Sequence, residues 1–426
     1  MVNVANIQIW NTYVGAVLWN ESTQTALFEY DKAFLNKGWD LSPIHMSLSA
    51  PRIFSFGALS GDTYQGMPGL LADSLPDAYG KALLDRWLAT YNRSFANPIE
   101  QLCYLGKRGM GALEFEPAQD FLLEESTEVE VASLVDVARK VLDKKTKLDT
   151  TLNDDVKEAV LNIIRVGTSA GGARAKAVIA YNEKSGNVRS GQVDAPEGFD
   201  HWLIKLDGVT NSELGDPKHY GRIEYVYYLL AQKAGIEMTS SKLLEENGRA
   251  HFMTKRFDRI NGNEKLHTQT LCGLAHFDYK MLRAYSYEQL FQVMRQLRLP
   301  YIQAEEMFRR MVFNIVARNQ DDHTKNTSFM MDKKGVWSLS PAYDISWAYS
   351  PSGEWTSMHQ MSVNNKWDNF TKTDLIEFSK KINIRKPNEI IEQVIGAVSY
   401  WREYASQYGI PSPQIERIGK THVLDL

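Results

Sequence analysis

Apolar and polar residues alternate with a period of two at the start of the chain. "NIQIWNTYVGAVLWN" and "TALFEYD" each place every second residue on one face, and they predict strands joined as a hairpin. Loops punctuated by proline and glycine continue through Pro68. The period then changes: in "SLPDAYGKALLDRWLATYN", Ala82, Leu83, Leu84 and Trp87 have helical spacing, which predicts a helix beginning near Pro76. "LCYLGKRGMGALEFEP" reads as a glycine-rich turn closing this first unit near Pro117. An acidic, helix-prone stretch from Leu122 to Asp149 separates it from the rest of the chain.

A second series begins with "DDVKEAVLNIIRVG", where Val156, Ala159, Val160, Ile163 and Ile164 form one apolar stripe running toward Gly167. "KAVIAYN", "HWLIKLD" and "RAHFMTKRFDRI" predict strands, with a turn at "EKSGN". "IEYVYYLLAQKAG" predicts a helix that stops at Gly235. From about Tyr285 the pattern is mostly helical. Met307, Phe308, Met311, Val312, Ile315 and Val316 recur on one face, the signature of a helix packed firmly against a core.

Composition narrows the class. With 426 residues the chain exceeds one ordinary domain, and its 43% apolar, 23% charged and 11% aromatic residues are those of a globular protein. A net charge of −4 argues against nucleic-acid or acidic-membrane binding by the chain as a whole. Cys103 and Cys272 lack metal-ligand spacing and predict two buried thiols in a reducing compartment. The N-terminus has no basic region followed by a long apolar one, and no run approaches the ~18 apolar residues of a membrane span. A cytoplasmic protein without membrane contact is expected.

The candidate chemistry lies directly after the apolar helix, in "NQDDHTKNTSFMMDKKGVWSLSPAYDIS". Asp321, Asp322, His323, Lys325 and Asn326 cluster there. "TSFMM" and "VWSLS" flank the turn Asp332-Lys333-Lys334-Gly335, which predicts a hairpin with Thr327 near Ser340 and a return of Asp344 to the cluster. Carboxylates crowded together repel unless a cation neutralises them. An Asn and an Asp suit a hard ion, Mg²⁺ or Mn²⁺, which keeps waters and phosphate oxygens. The spacing Asp321-x-x-x-x-Asn326 is that of a protein-kinase catalytic loop, and Asp344 stands where a metal-binding aspartate would be expected.

A kinase also needs a nucleotide site. "VGTSAGGARAK", with Ser169, Gly171, Gly172 and Lys176, is rich in small residues whose backbone amides can approach phosphate oxygens. Gly167-x4-Gly172 begins a Walker A pattern, but Ala173-Arg174 stands where Lys-Ser/Thr is required, so Walker A is excluded. Lys205, in the apolar strand "HWLIKLD", needs an anionic partner if it points inward. Kinases use such a lysine on the α- and β-phosphates, steadied by a helix glutamate, for which Glu224 is the candidate.

At these residues the sequence resembles the HipA family of bacterial serine/threonine kinases, the toxin components of toxin–antitoxin pairs. The resemblance runs through "SLPDAYG", "GKRGMGALEF", "TSAGGARAK", "IKLD", "KRFDR", "DDHTKN" and "PAYDIS". It implies an α+β, two-lobed protein-kinase-like fold with an extra N-terminal α/β subdomain and a mainly helical C-lobe. The expected divisions are 1–120, 121–255 and 256–426.

By position, the resemblance implies Asp321 as catalytic base, Asn326 and Asp344 as Mg²⁺ ligands, and Lys205 as the phosphate contact of ATP. It places the adenine-receiving hinge around Lys255–Phe257 and the autophosphorylated serine at Ser169. His323 and Lys325 are assigned to loop positioning or the γ-phosphate. Asp322 stands where the family has glycine, which leaves the base open between Asp321 and Asp322.

The implied partners are a HipB-like helix-turn-helix antitoxin that supplies DNA contact, a homodimer within that complex, and a protein substrate. Some family members phosphorylate an aminoacyl-tRNA synthetase. Two other readings compete: an antitoxin-binding co-repressor of weak activity, and a metal-dependent hydrolase built on the same aspartates.

Overall fold

A computed structural model of the chain describes residues 2–89, 93, 96–118, 128–142, 175–191, 193–209 and 219–426. It has two compact units. Met1–Leu41, Met46–Gly221 and Lys242–Thr268 form the first; Ser42–His45, Arg222–Ser241 and Gln269–Leu426 form the second.

The alternating N-terminal segments are strands. β1 (Val4–Ile9), β2 (Thr12–Asn20), β3 (Thr25–Tyr30), β4 (Ile53–Phe54) and β5 (Leu113–Glu116) form an antiparallel sheet in the order β4-β3-β2-β1-β5. The β1–β2 hairpin closes on Trp10 and Asn11, both left-handed (φ 48° and 59°), as a two-residue turn matching strand twist requires. Ala5, Ile7, Ile9, Val17, Phe28 and Phe115 are buried, so one face of this sheet builds a core.

The second sheet of this unit comprises β6 (Lys176–Tyr181), β7 (Val188–Ser190), β8 (Asp200–Lys205), β9 (Ser241–Glu246) and β10 (Arg249–Lys255), in the order β7-β6-β8-β10-β9. The pattern of "VRS" is too short and polar to announce β7. One face carries Ala177, Ile179, Trp202, Ile204 and Met253 into a common core. Tyr79 and Leu83 of the Ala78–Ala89 helix join it, as do Leu134, Val135 and Ala138 of the Val131–Leu142 helix. The stripe expected from Val156 to Ile164 lies outside the described residues.

The second unit is mostly helical. Its Tyr301–Val316 helix buries the stripe from Met307 to Val316 and packs on the Pro387–Val398 helix. The Tyr287–Gln296 helix starts with a reciprocal capping box, in which Ser286 and Gln289 satisfy each other's backbone N–H groups. The expected hairpin forms from Ser328–Met331 and Trp337–Leu339, with Gly335 left-handed at φ 78°. Phe329 pairs with Leu339, and the Ser340 N–H donates to the Ser328 carbonyl at 3.0 Å, which places Thr327 near Ser340 as expected. In the turn the Asp332 carboxylate accepts from the N–H groups of Lys334 and Val336.

Both thiols are buried, and burial pushes Cys103 up to about 12. Among the described residues no helix is long and apolar enough to cross a membrane.

Candidate active site

The catalytic-loop candidate begins where the Tyr301–Val316 helix ends. Arg318 takes a left-handed φ of 54°, and Asn319 folds back so that its N–H and side-chain amide donate to Asn314 O and Oδ1, both at 2.9 Å. The chain then zips to the segment after Asp344. Gln320 N–H donates to Ala348 O at 3.0 Å, and Ala348 N–H donates to Arg318 O at 3.1 Å. That pairing brings Asp344 back toward the loop.

Asp321 and Asp322 are adjacent but differently placed. The Asp321 side chain is 47% exposed, and its Oδ1 lies 3.7 Å from His323 Nε2. Asp322 is buried and accepts three hydrogen bonds: Tyr287 Oη at 2.8 Å and His359 Nδ1 at 3.0 Å on Oδ2, and Gln360 N–H at 2.7 Å on Oδ1. Asp322 and Asp344 line the same cleft, and the three donors on Asp322 offset the crowding of carboxylates expected from the sequence.

Asn326 closes a short 3-10 turn, Thr324–Asn326. Its Nδ2 donates to Asp321 O at 2.7 Å, which commits the amide nitrogen and leaves Oδ1 directed elsewhere. Thr324 Oγ1 anchors the turn on Phe277 O at 2.6 Å. Tyr343 Oη donates to Lys325 O at 2.7 Å and also meets the Ser328 hydroxyl. The Lys325 ammonium stands 4.9 Å from the centre of the Tyr279 ring, and His323 packs 5.3 Å from the same ring. Asp322, His323, Asn326, Tyr343 and Asp344 line one cleft. Asp344 is left-handed at φ 52°, a conformation that Asp and Asn tolerate better than bulkier residues.

Two carboxylates share this cleft, but the Asp322 oxygens are taken by their own donors. The Asn326 amide oxygen and the Asp344 carboxylate are a donor set suited to Mg²⁺, which fills its remaining positions with water and phosphate oxygens. Among the described residues no group of three or more His, Cys, Asp or Glu is arranged to hold a metal. Two protein ligands fit an ion that arrives with a nucleotide better than one caged by protein.

The remaining candidates lie elsewhere. In the first unit, Lys205 pairs across the sheet with Lys176 on β6 and Phe252 on β10, so the three side chains share a face. Two lysines directly opposed would repel. Lys176, however, is buried and its Nζ lies 2.8 Å from Asp77 Oδ2, which balances one of the two charges. The Lys205 ammonium sits 5.8 Å from the Phe252 ring centre. Lys255 forms an ion pair with Asp200 at 2.8 Å, and Phe257 is partly buried in the turn after β10. In the second unit, Glu224 is buried on the Tyr220–Lys233 helix. Ser169, Gly171 and Gly172 lie outside the described residues.

The "KRFDR" segment holds a cluster that sequence reasoning did not single out. Asp258 is fully buried and accepts from Arg256 Nη2 and Arg259 Nη1, both at 2.6 Å, and from Gly111 N–H at 2.7 Å. The guanidinium groups also donate to Gly109 O and Gly111 O. This ties "KRFDR" to "GKRGMG", so two of the motifs recognised separately are halves of one structure. Tyr287, His359 and Gln360 were missed as well. They reach Asp322 from 35 to 38 residues away, and no local pattern marks them.

Together, the antiparallel sheet with its strand lysine and the helical unit with its Asp-x4-Asn loop define an α+β, protein-kinase-like fold. Residues 5–116 match the family model of the HipA N-terminal domain, and residues 168–401 match that of the HipA-like C-terminal domain. The chain belongs to the HipA family. It is similar in structure to the HipA chain of a Shewanella oneidensis MR-1 complex of HipA, HipB and operator DNA. That similarity has a TM-score of 0.70 and 17% identity, over 98% of this chain and 95% of that one. A Haemophilus influenzae protein named "Putative kinase" is 26% identical over 199 residues, which span 40% of this chain and 57% of the relative.

Proposed function

We propose that this chain is an ATP- and Mg²⁺-dependent protein serine/threonine kinase, with Asp321 as the base. The observation that carries the proposal is the division of labour within the loop. Asp322 is consumed by buried donors, Asp321 stays accessible, and Asn326 fastens the Asp321 carbonyl while sharing a cleft with Asp344. A hydrolase built on paired carboxylates would need Asp322 as a working acid; Asp322 does line the cleft, but its three hydrogen-bond donors oppose that role.

In this reading Asp321 orients the acceptor hydroxyl and takes its proton as the oxygen–phosphorus bond forms. The bond from the γ-phosphorus to the bridging oxygen breaks, and ADP leaves. Asn326 and Asp344 would hold Mg²⁺, which when bound neutralises charge on the phosphates. Lys205 supplies positive charge to the α- and β-phosphates, a role supported by the pairing of its neighbour Lys176 with Asp77. Ser169 is the proposed autophosphorylation site. A HipB-like antitoxin is the proposed partner, supported by the composition of the Shewanella complex. It would carry DNA contact and hold two copies of this chain, with the toxin substrate a protein such as an aminoacyl-tRNA synthetase.

Incubation of the full chain with Mg-ATP, read by phosphate incorporation, tests this. Asp321→Asn is expected to lower turnover by about 10²- to 10⁴-fold, the usual share of a general base, with ATP affinity and thermal midpoint held. A variant working at full rate would overturn the assignment.

A further inference from the structure

We infer that Asp322 is a positioning residue for phosphoryl transfer. Its anchored carboxylate fixes the direction in which Asp321 faces. The inference rests on the reading of Asp321 as base and extends it to four residues that the catalytic-loop pattern does not contain.

Three separate elements converge on Asp322. Tyr287 opens the Tyr287–Gln296 helix, and its Oη accepts from Asn314 Nδ2 at 3.1 Å, which turns the phenolic hydrogen toward Asp322. Asn314 belongs to the Tyr301–Val316 helix and also accepts from the Asn319 side chain, so helix and loop are joined through the same amide. His359 and Gln360 precede a short strand, Met361–Ser362, that pairs in parallel with Tyr285–Ser286. Tyr287, Asp322 and His359 are nearly inaccessible to water, so these hydrogen bonds compete with no solvent.

The tautomer of His359 is set by its surroundings. Nδ1 faces the Asp322 carboxylate, while Nε2 is buried without a hydrogen-bond partner, against the edge of Phe370. A hydrogen on Nε2 would be stranded there, whereas a hydrogen on Nδ1 has an acceptor. The ring therefore donates from Nδ1, and Asp322 receives three donors.

The consequence for Asp321 is geometric. Gln320 and Asp322 are buried, whereas Asp321 and His323 are partly exposed and their side chains lie 3.7 Å apart, so side chains alternate in direction along this segment. Fixing Asp322 inward holds Asp321 outward, while Asn326 pins the Asp321 carbonyl from the other side. Without the inward anchor the segment can rotate about its axis and carry the Asp321 carboxylate out of line.

The test uses the full chain with Asp322→Asn, His359→Gln, His359→Asn and the Asp321→Asn control. Turnover and KM for ATP are read by phosphate incorporation, and the His359 ring tautomer by ¹⁵N NMR. The amide nitrogen of asparagine falls where Nδ1 stood, whereas that of glutamine falls nearer Nε2. Asp322→Asn and His359→Gln are expected to lower kcat by about 30- to 100-fold, the scale of a misplacement near 1 Å, with KM for ATP within about twofold. His359→Asn is expected to recover all but about threefold of the rate, and wild-type NMR to show hydrogen on Nδ1.

Near-normal kcat in Asp322→Asn and His359→Gln would overturn the inference. So would equal losses in all three network variants with a matching loss of folded protein, the mark of a purely structural role. If Asp321→Asn stays active while Asp322→Asn is dead, Asp322 is itself the base and the inference falls. No turnover by wild type would instead remove the kinase reading on which it stands.

Discussion

Asp258 in the first unit and Asp322 in the second are both closed off from water, and each gathers hydrogen bonds from distant parts of the chain. They differ in what neutralises them. Burial alone would raise Asp258, but the guanidinium groups of Arg256 and Arg259 hold it well below the usual carboxylate range. Burial draws Arg259 down to about 10, where it keeps its charge near neutral pH. Among the described residues, Asp322 accepts from a phenol, an imidazole and a backbone amide, with no arginine or lysine against it. Charge against charge cements two strand-and-loop motifs. Directed hydrogen bonds around a single carboxylate instead fix its orientation.

Breaking the first cluster should have the largest effect on stability. Asp258→Ala leaves two buried guanidinium groups without their counter-charge, and such truncations cost about 3–5 kcal/mol. Urea unfolding followed by tryptophan fluorescence would register the loss. A change below about 1 kcal/mol would mean that water reaches the cluster.

Acid titration separates the cluster from other buried groups of the same unit. His267 is buried, its Nε2 lies 3.2 Å from Leu41 O, and burial lowers it to about 4. Below the ordinary histidine value of about 6.5 the unfolded chain binds a proton that the folded chain refuses, so stability falls between about pH 6.5 and about pH 4. The loss is on the order of 3 kcal/mol. Asp258 acts in a lower window: its contribution is present above about pH 4, the ordinary carboxylate range, and fades as pH falls toward its depressed folded value. His267→Gln should reduce the loss in the upper window and leave the lower window unchanged in urea titrations. His201, His251, His276 and His422, also lowered by burial, contribute the rest of the upper window.

The smallest effect belongs to the Asp322 cluster. Tyr287→Phe removes one donor but leaves Asp322 with His359 and the Gln360 N–H, so a cost of about 1–2 kcal/mol is expected in thermal unfolding. A cost near that of Asp258→Ala would erase the distinction between the two clusters.

The sequence displayed what is local. The strands of the first sheet announce themselves by alternation, and the Tyr301–Val316 helix by its stripe from Met307 to Val316. The Asp321-x4-Asn326 spacing was legible because a kinase loop keeps its working residues within a few positions. What escaped is long-range. Nothing around Asp321 and Asp322 tells which faces inward, since the decision belongs to Tyr287 on one side and His359 and Gln360 on the other. Likewise "KRFDR" stood out as a motif while its partners, Gly109 and Gly111, lie about 147 residues earlier.

The left-handed backbone of Asp344 restricts how this position can vary over generations. β-branched and bulky residues are disfavoured there by their own sterics, whereas asparagine and glycine fit as comfortably as aspartate. The replacements that the backbone accepts most readily are thus ones that discard the charge. In the proposed reading, a lineage can reach a well-folded copy that lacks the metal-holding carboxylate in one step at this codon.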